Sequence, residues 1–215
     1  MNAVASDEQN RAAAYWSRLA RKYAARPVRD ESAYQYKLAR TREYLSAESR
    51  VLEFGCGTGA TALLHAPLVR EYLAIDVAPA MIEIAQERQR EQPVSSLSFR
   101  TGALDDEGLA DQHFDVVLGL NVLHLIKDVD QALEQVHRLL KPGGIFIGST
   151  AVLKDTMPWL PLIAVPGYWL RRLPRIIMLS SDGLTDSLQQ RGFETLERWQ
   201  ADSAREVLFH VSRKT

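Results

Sequence analysis

The chain has 215 residues, 46% of them apolar, and carries 26 basic and 27 acidic side chains for a formal net charge of −1. That length suits one domain with a sizeable buried core. The even charge balance supplies no field to hold DNA or RNA non-specifically, which directs attention to a small-molecule partner.

The single cysteine, Cys56, excludes an internal disulfide and suits a reducing, cytoplasmic compartment. The first twenty residues carry early charges and no apolar run, unlike a secretory signal. The greasiest stretch, Met157 to Leu179, is broken by four prolines and three arginines, so no integral membrane span is expected. His65, His113, His124, His137 and His210 show no ligand spacing with one another or with Cys56, and no metal site is expected.

In chain order, residues 7–25 predict a helix, with Tyr15, Leu19 and Tyr23 four apart on one face and Pro27 ending it. A second helix begins near Asp30, an N-cap, and aligns Tyr34, Leu38, Thr41 and Leu45. Short apolar strands then alternate with helices. RVLEF (50–54) is a strand, a glycine loop follows, and ATALLHA is helical. EYLAI (71–75) is the second strand and 78–90 a helix with Pro79 in its first turn. LSFRT (97–101) and FDVVLGL (114–120) are strands. Residues 128–140 are helical, stopped by Lys141-Pro142-Gly143-Gly144, and 144–150 is a fifth strand. Such alternation implies a parallel sheet covered on both faces. The tail differs: a helix over 184–193 stopped by Gly192, then strands 193–199 and 206–214 as a hairpin that adds an antiparallel edge.

The loop VLEFGCGTGA (51–60) is the feature that points to chemistry. In an open α/β sheet, ligands sit at the carboxyl ends of the strands where the strand order reverses. Glycines there let the main chain approach a ligand, and the following helix N-terminus adds oriented N–H groups. Gly55, Gly57 and Gly59 therefore predict the floor of a site for a polar ligand. Gly55-x-Gly57-x-x-Ala60 also satisfies a dinucleotide fingerprint. Asp76, ending the second strand, suits ribose hydroxyls in either class of nucleoside cofactor, and equally an N-cap for the helix at Ala78. Glu53, just ahead of the loop, would repel a pyrophosphate but suits a ligand with an ammonium group.

Four stretches together, VLEFGCGTG (51–59), AIDVAPAMIEIA (74–85), FDVVLGLNVLHLI (114–126) and LLKPGGIFI (139–147), resemble the class I S-adenosylmethionine-dependent methyltransferases, in that family's order and spacing. The resemblance is strong over roughly residues 45–150. It implies a Rossmann-like, doubly wound, mostly parallel seven-stranded sheet with an antiparallel C-terminal hairpin strand and helices on both faces. It also implies a single domain: a helical cover (1–48), a cofactor core (49–150), an acceptor-site insert (151–180) and the C-terminal helix and hairpin (181–215).

By the same resemblance, the main chain of Gly55, Cys56 and Gly57 lies against the methionine moiety, with Glu53 beneath it. Asp76 takes the ribose, and Val77 and Met81 pack on adenine. Asn121 meets the cofactor's ammonium group through its carbonyl, and Tyr23, or Lys37 instead, reaches its carboxylate. An acid expected after the third strand is absent at Ala103, so Ala103 and Leu104 amides or a shifted Asp105 face the adenine. His124 is the candidate general base, and Cys56 is not expected to act as a nucleophile. Over 151–180, apolar residues including Trp159, Leu160, Leu162, Ile163, Tyr168, Trp169, Leu170, Ile176 and Ile177 suggest a lid over an apolar acceptor. Arg171, Arg172 and Arg175 are placed to greet an anionic group on it. The implied protein is a monomer or homodimer that methylates a small acceptor. A cofactor binder without catalysis and an NAD-dependent oxidoreductase stay open as alternatives.

Overall fold

A computed structural model describes residues 7–170 and 172–215. Arg171, named above as a candidate acceptor contact, lies outside the described residues. Seven strands form one sheet in the order β3-β2-β1-β4-β5-β7-β6. They are β1 (Arg50–Phe54), β2 (Glu71–Asp76), β3 (Leu97–Thr101), β4 (Phe114–Leu120), β5 (Leu140–Ala151), β6 (Phe193–Ala201) and β7 (Ala204–Lys214). The first five pair in parallel. β7 pairs antiparallel with both β5 and β6.

The period-2 alternation of each strand divides its side chains between two cores. Val51, Val116 and Leu118 point to one face, where α3 (Ala60–His65) and α4 (Pro79–Glu91) bury Ala62, Ile82 and Ala85. Leu52 and Val117 point to the other. There α5 (Val129–Leu139) and α8 (Ser181–Gln190), with the short α6 (Leu153–Thr156) and α7 (Pro161–Trp169) between them in the chain, bury Leu133, Val136, Leu184 and Leu188. Both faces of the central strands are thus dry, which accounts for their continuous apolar runs.

The C-terminal hairpin adds the antiparallel edge expected of it. β7 is inserted beside β5, and β6 forms the border. The reason is burial: Leu208 to Ser212 of β7 are all at most 2% exposed, whereas β6 buries Phe193 and leaves its other positions partly or fully exposed. A strand apolar on both faces belongs inside a sheet, and a half-solvated one belongs at its edge. β5 also begins earlier than expected. Leu140 already pairs with Phe114, and the Pro142-Gly143-Gly144 turn is absorbed as a bulge before Ile145 pairs with Val116.

The N-terminal helices, α1 (Asp7–Ala24) and α2 (Glu31–Arg42), attach at different places. Asp30 caps α2, accepting the Ala33 N–H at 2.9 Å. Tyr36 stacks on Trp199 of β6 with ring centroids 4.2 Å apart, and the Arg40 Nε donates to Glu197 at 2.9 Å. α1 instead lies over the carboxyl ends of β1 and β2, where Trp16, Ala20 and Ala24 pack on Ala78, Met81 and Ile84. Arg88 of α4 ties its end to the glycine loop, donating to the Ala24 carbonyl at 3.2 Å and to the Thr58 carbonyl at 3.0 Å.

Phe146 of β5 is fully buried and meets Phe54, Phe193 and His210, so it joins the parallel half of the sheet to the hairpin. Phe146→Ala is expected to lower unfolding free energy by about 3–5 kcal/mol, read as a shift of the urea midpoint at unchanged slope.

Candidate functional site

The strand order reverses between β1 and β4, and their carboxyl ends open into a cleft of about 870 Å³. Its floor is the loop after β1. Gly55, Gly57 and Gly59 all hold positive φ, at 64°, 53° and 76°, a region that side-chain-bearing residues seldom adopt. At Gly55 a Cβ would stand 2.4 Å from Val122 Cγ2, so the Val122 side chain, in the loop after β4, packs directly on the bare main chain of the loop after β1. At Gly57 a Cβ would meet only the Tyr23 ring, 3.9 Å away, so this bend faces open cleft.

Asp76 ends β2 beside that bend. Its Oδ2 accepts the Gly57 N–H at 2.9 Å, and its Oδ1 accepts the Ala78 N–H at 2.8 Å. The carboxyl group lines the cleft though only 9% exposed. Burial raises its pKa, and the two amide donors oppose that rise. Asp76 is not the N-cap of α4: Ala78 occupies that position, and no side chain caps it.

Val77, Met81, Ala103, Leu104, Asn121 and Tyr23 also line the cleft, so most of the residues named from sequence converge on one wall. Asn121 holds a left-handed φ of 57°. Its side-chain Oδ1 accepts from Ser149 Oγ at 3.3 Å, and Ser149 in turn accepts from the Lys37 ammonium at 3.0 Å. Lys37 is therefore engaged behind this wall. Asp105 is at the rim and accepts from Gln9 Nε2 at 3.1 Å.

Three of the named residues are elsewhere. Glu53 is 3% exposed behind the loop, where it accepts from the Tyr72 hydroxyl at 2.7 Å. Burial first, and the nearby Asp76 charge, raise its pKa to about 7 against the Tyr72 hydrogen bond. Cys56 is buried and its thiol is pushed well above its ordinary value by burial; a protonated thiol is no nucleophile. His124 does not line the cleft. Its Nδ1 is 3.2 Å from Thr150 Oγ1 and 3.4 Å from the Ala151 N–H, and burial lowers its pKa to about 4.

The roof comes from α1 and from the segment holding α7 (Pro161–Trp169). Arg175 grips the Glu8 carboxylate through Nε and Nη2, at 2.8 and 3.1 Å. The Tyr168 hydroxyl donates to the same carboxylate at 2.9 Å, and the Arg11 guanidinium stands 4.2 Å over the Tyr168 ring. All four side chains line the cleft. Of the apolar residues named for a lid, Tyr168 lines it; Trp159, Leu162, Ile163, Trp169 and Leu170 face outward, and Leu160, Ile176 and Ile177 are off the wall. Of the arginines, Arg175 is on the wall but paired with Glu8, and Arg172 is not on it. Sequence reasoning missed Glu8, Arg11 and Trp16. Their partners are distant along the chain, and helix periodicity says nothing about what a polar face will meet.

Comparison with known proteins agrees with this architecture. A family described as a methyltransferase domain matches residues 52–148. The chain is similar to an uncharacterized methyltransferase, YcgJ, of Bacillus subtilis (strain 168), at 35% identity over 101 residues, covering 47% of this chain and 40% of the relative. It is similar to a ubiquinone biosynthesis O-methyltransferase of Azorhizobium caulinodans at 37% identity over 130 residues, covering 59% of this chain and 49% of that one. The chain thus spans half or less of the length of these curated relatives. Among solved structures, the [4+2]-cyclase SpnF superposes with a TM-score of 0.78 at 18% identity, covering 99% of this chain and 98% of that one. With the glycine loop, Asp76 and the sheet order, these matches make residues 52–148 similar to the class I S-adenosylmethionine-dependent methyltransferases.

Proposed function

We propose that this chain transfers a methyl group from S-adenosylmethionine to a small, partly apolar acceptor. The observation that carries this reading is the position of Asp76: a buried carboxylate at a strand end, facing a cleft beside a main-chain bend with no side chain in its way. Each of its oxygens accepts one amide hydrogen and keeps a lone pair, enough for two vicinal hydroxyls. The cleft volume falls within the range of cofactor sites.

In this reading the Gly55 and Gly57 main chain holds the methionine end, with the Asn121 carbonyl taking its ammonium group and Tyr23 its carboxylate. Asp76 holds the ribose. Half-buried Val77 and buried Met81 flank the adenine, a flexible thioether suiting an aromatic face, and Ala103 and Leu104 border its edge. Glu53 and Cys56 support the loop from behind. The cofactor supplies a methyl group already activated on sulfonium. The chain's task is then to align the acceptor and exclude water. Apolar walls from Leu125, Ile126 and Leu173 and the ubiquinone-biosynthesis relative support an acceptor with apolar character.

His124 is not assigned proton removal. It lies off the wall, and an imidazole with a pKa near 4 is a weak base at neutral pH. A second reading, binding without methyl transfer, draws on SpnF, which has this fold and is named a cyclase.

Turnover of methyl-labelled cofactor against a library of phenols, quinols and lipids decides between the two: label in an acceptor supports transfer, and binding with no labelled product supports the other. Calorimetry is expected to show binding of S-adenosylhomocysteine and none of NAD. Asp76→Asn keeps the shape but loses charge-assisted hydrogen bonds, so affinity for S-adenosylhomocysteine should fall roughly 10- to 100-fold. His124→Gln should leave that affinity unchanged and lower turnover less than about tenfold.

Glu53 supplies a pH signature. Its folded pKa, about 7, lies above the ordinary 4.5. Between those values the unfolded chain has lost this proton and the folded chain has kept it. Stability therefore falls as pH rises through that window, by about 3 kcal/mol in all. Glu53→Gln should flatten the denaturation midpoint across that pH range, while the parent shows the decline.

A further inference from the structure

Helix α7 is turned inside out. Leu162, Ile163, Val165, Trp169 and Leu170 repeat at i, i+1, i+3, i+7 and i+8, the spacing by which a surface helix covers a core. Here that stripe faces solvent. Leu162 is 79% exposed, Trp169 73% and Leu170 65%, and Trp159, just before the helix, is 53% exposed. The orientation is set from the other side. Ala164 is buried, and the Gly167 carbonyl accepts the Arg172 and Leu173 N–H groups so closely that a Cβ at Gly167 would stand 2.5 Å from Leu173 Cδ1. The Tyr168 hydroxyl is fastened to Glu8. Rotating the helix to bury the stripe would break all of these contacts.

We propose that this face docks on an anionic bilayer surface, with α7 lying in the plane of the headgroups. Among the described residues no helix is long and apolar enough to cross a membrane, and a nine-residue helix that turns large apolar side chains to solvent suits the interface instead. Trp159 and Trp169 stand at its two ends, the residue type that settles at headgroup depth. Charge selects the occupant. From Met157 to Leu179 the sequence has three arginines and no acid. Arg175 turns inward to Glu8, while Arg172, directly after the stripe, is exposed. Against a second copy of the chain this face would meet its own positive charge with no acid in the segment to answer it. An anionic lipid surface answers it. The opposite side of the same segment, Tyr168, Leu173 and Arg175, walls the cleft, so docking would set lipid against the outer side of that wall. The proposal goes beyond methyl transfer and does not depend on it.

The full chain is sedimented with vesicles of phosphatidylcholine alone and of equal parts phosphatidylcholine and phosphatidylglycerol. Binding is expected to the mixed vesicles, weakening as salt screens the arginines. Leu162→Asp and Trp169→Asp should each weaken it roughly tenfold or more, and Arg172→Glu roughly fivefold or more. These side chains are exposed, so thermal melting and S-adenosylhomocysteine binding should match the parent and certify the fold of each variant. No sedimentation with the mixed vesicles, or equal sedimentation of parent and variants, overturns the proposal. So does a lipid-free dimer in light scattering that Leu162→Asp dissociates, since the face would then belong to a second copy. A chain that binds vesicles but transfers no methyl group would leave this proposal standing and remove the previous one.

Discussion

Two main-chain amides from different loops end on one carboxylate. Gly57 comes from the bend after β1 and Ala78 from the turn after β2, and both donate to Asp76. Without that shared acceptor, the N–H of fully buried Ala78 would have to be satisfied elsewhere, and an unmade hydrogen bond of this kind costs about 1–3 kcal/mol. The cleft floor is therefore a consequence of where β2 stops. The parallel pairing of β1 with β2, which aligns Phe54 with Ile75, delivers Asp76 one residue beyond and beside the glycine loop. The Cys56 N–H donating to the Ile75 carbonyl at 3.1 Å extends the same ladder into the loop. A binding site and a sheet edge are here one hydrogen-bond network.

Around that floor, the cost of burial is visible in the titratable groups. Glu53, Tyr72 and Cys56 are all buried within this corner, and burial raises the pKa of each. The corner is consequently kept close to neutral, with the Tyr72 hydroxyl bonded to the Glu53 carboxyl. A cation placed above the loop would favour ionisation of Glu53 and recover part of the destabilisation that its burial imposes.

How much of this could be read from the chain follows from which interactions are local. The runs RVLEF, LSFRT and FDVVLGL became strands at those bounds, because each is an apolar segment between turn residues and needs no distant partner to be recognised. Asp76 and the glycines were legible because their spacing is fixed by one strand, one loop and the next strand. The place of β7 was recoverable in principle: EVLFHVS is apolar enough for two dry faces and FETLERW is not. His124 was misleading for a physical reason. Proximity in sequence to Asn121 put it near the cleft, but Thr150 and the Ala151 amide turn its ring toward β5. The tie that joins the two parts of the roof was not legible, since Glu8 and Arg175 lie 167 positions apart and nothing in a helix of mixed charge names its partner.

That roof is built on different terms from the floor. The sheet beneath is continuous and dry, whereas α1 is held over the cleft by one compact apolar contact with α4 and by polar ties on either bank. On one bank Gln9 meets Asp105 at an exposed site. On the other, Glu8 meets Arg175 and Tyr168, all of them partly exposed. Arg175 holds the Glu8 carboxyl below its usual range, so this tie survives mild acid. Partly solvated pairs of this kind contribute little to global stability, yet they suffice to hold a helix whose own packing is small. The contacts that hold α1 are thus separate from those that hold the sheet together.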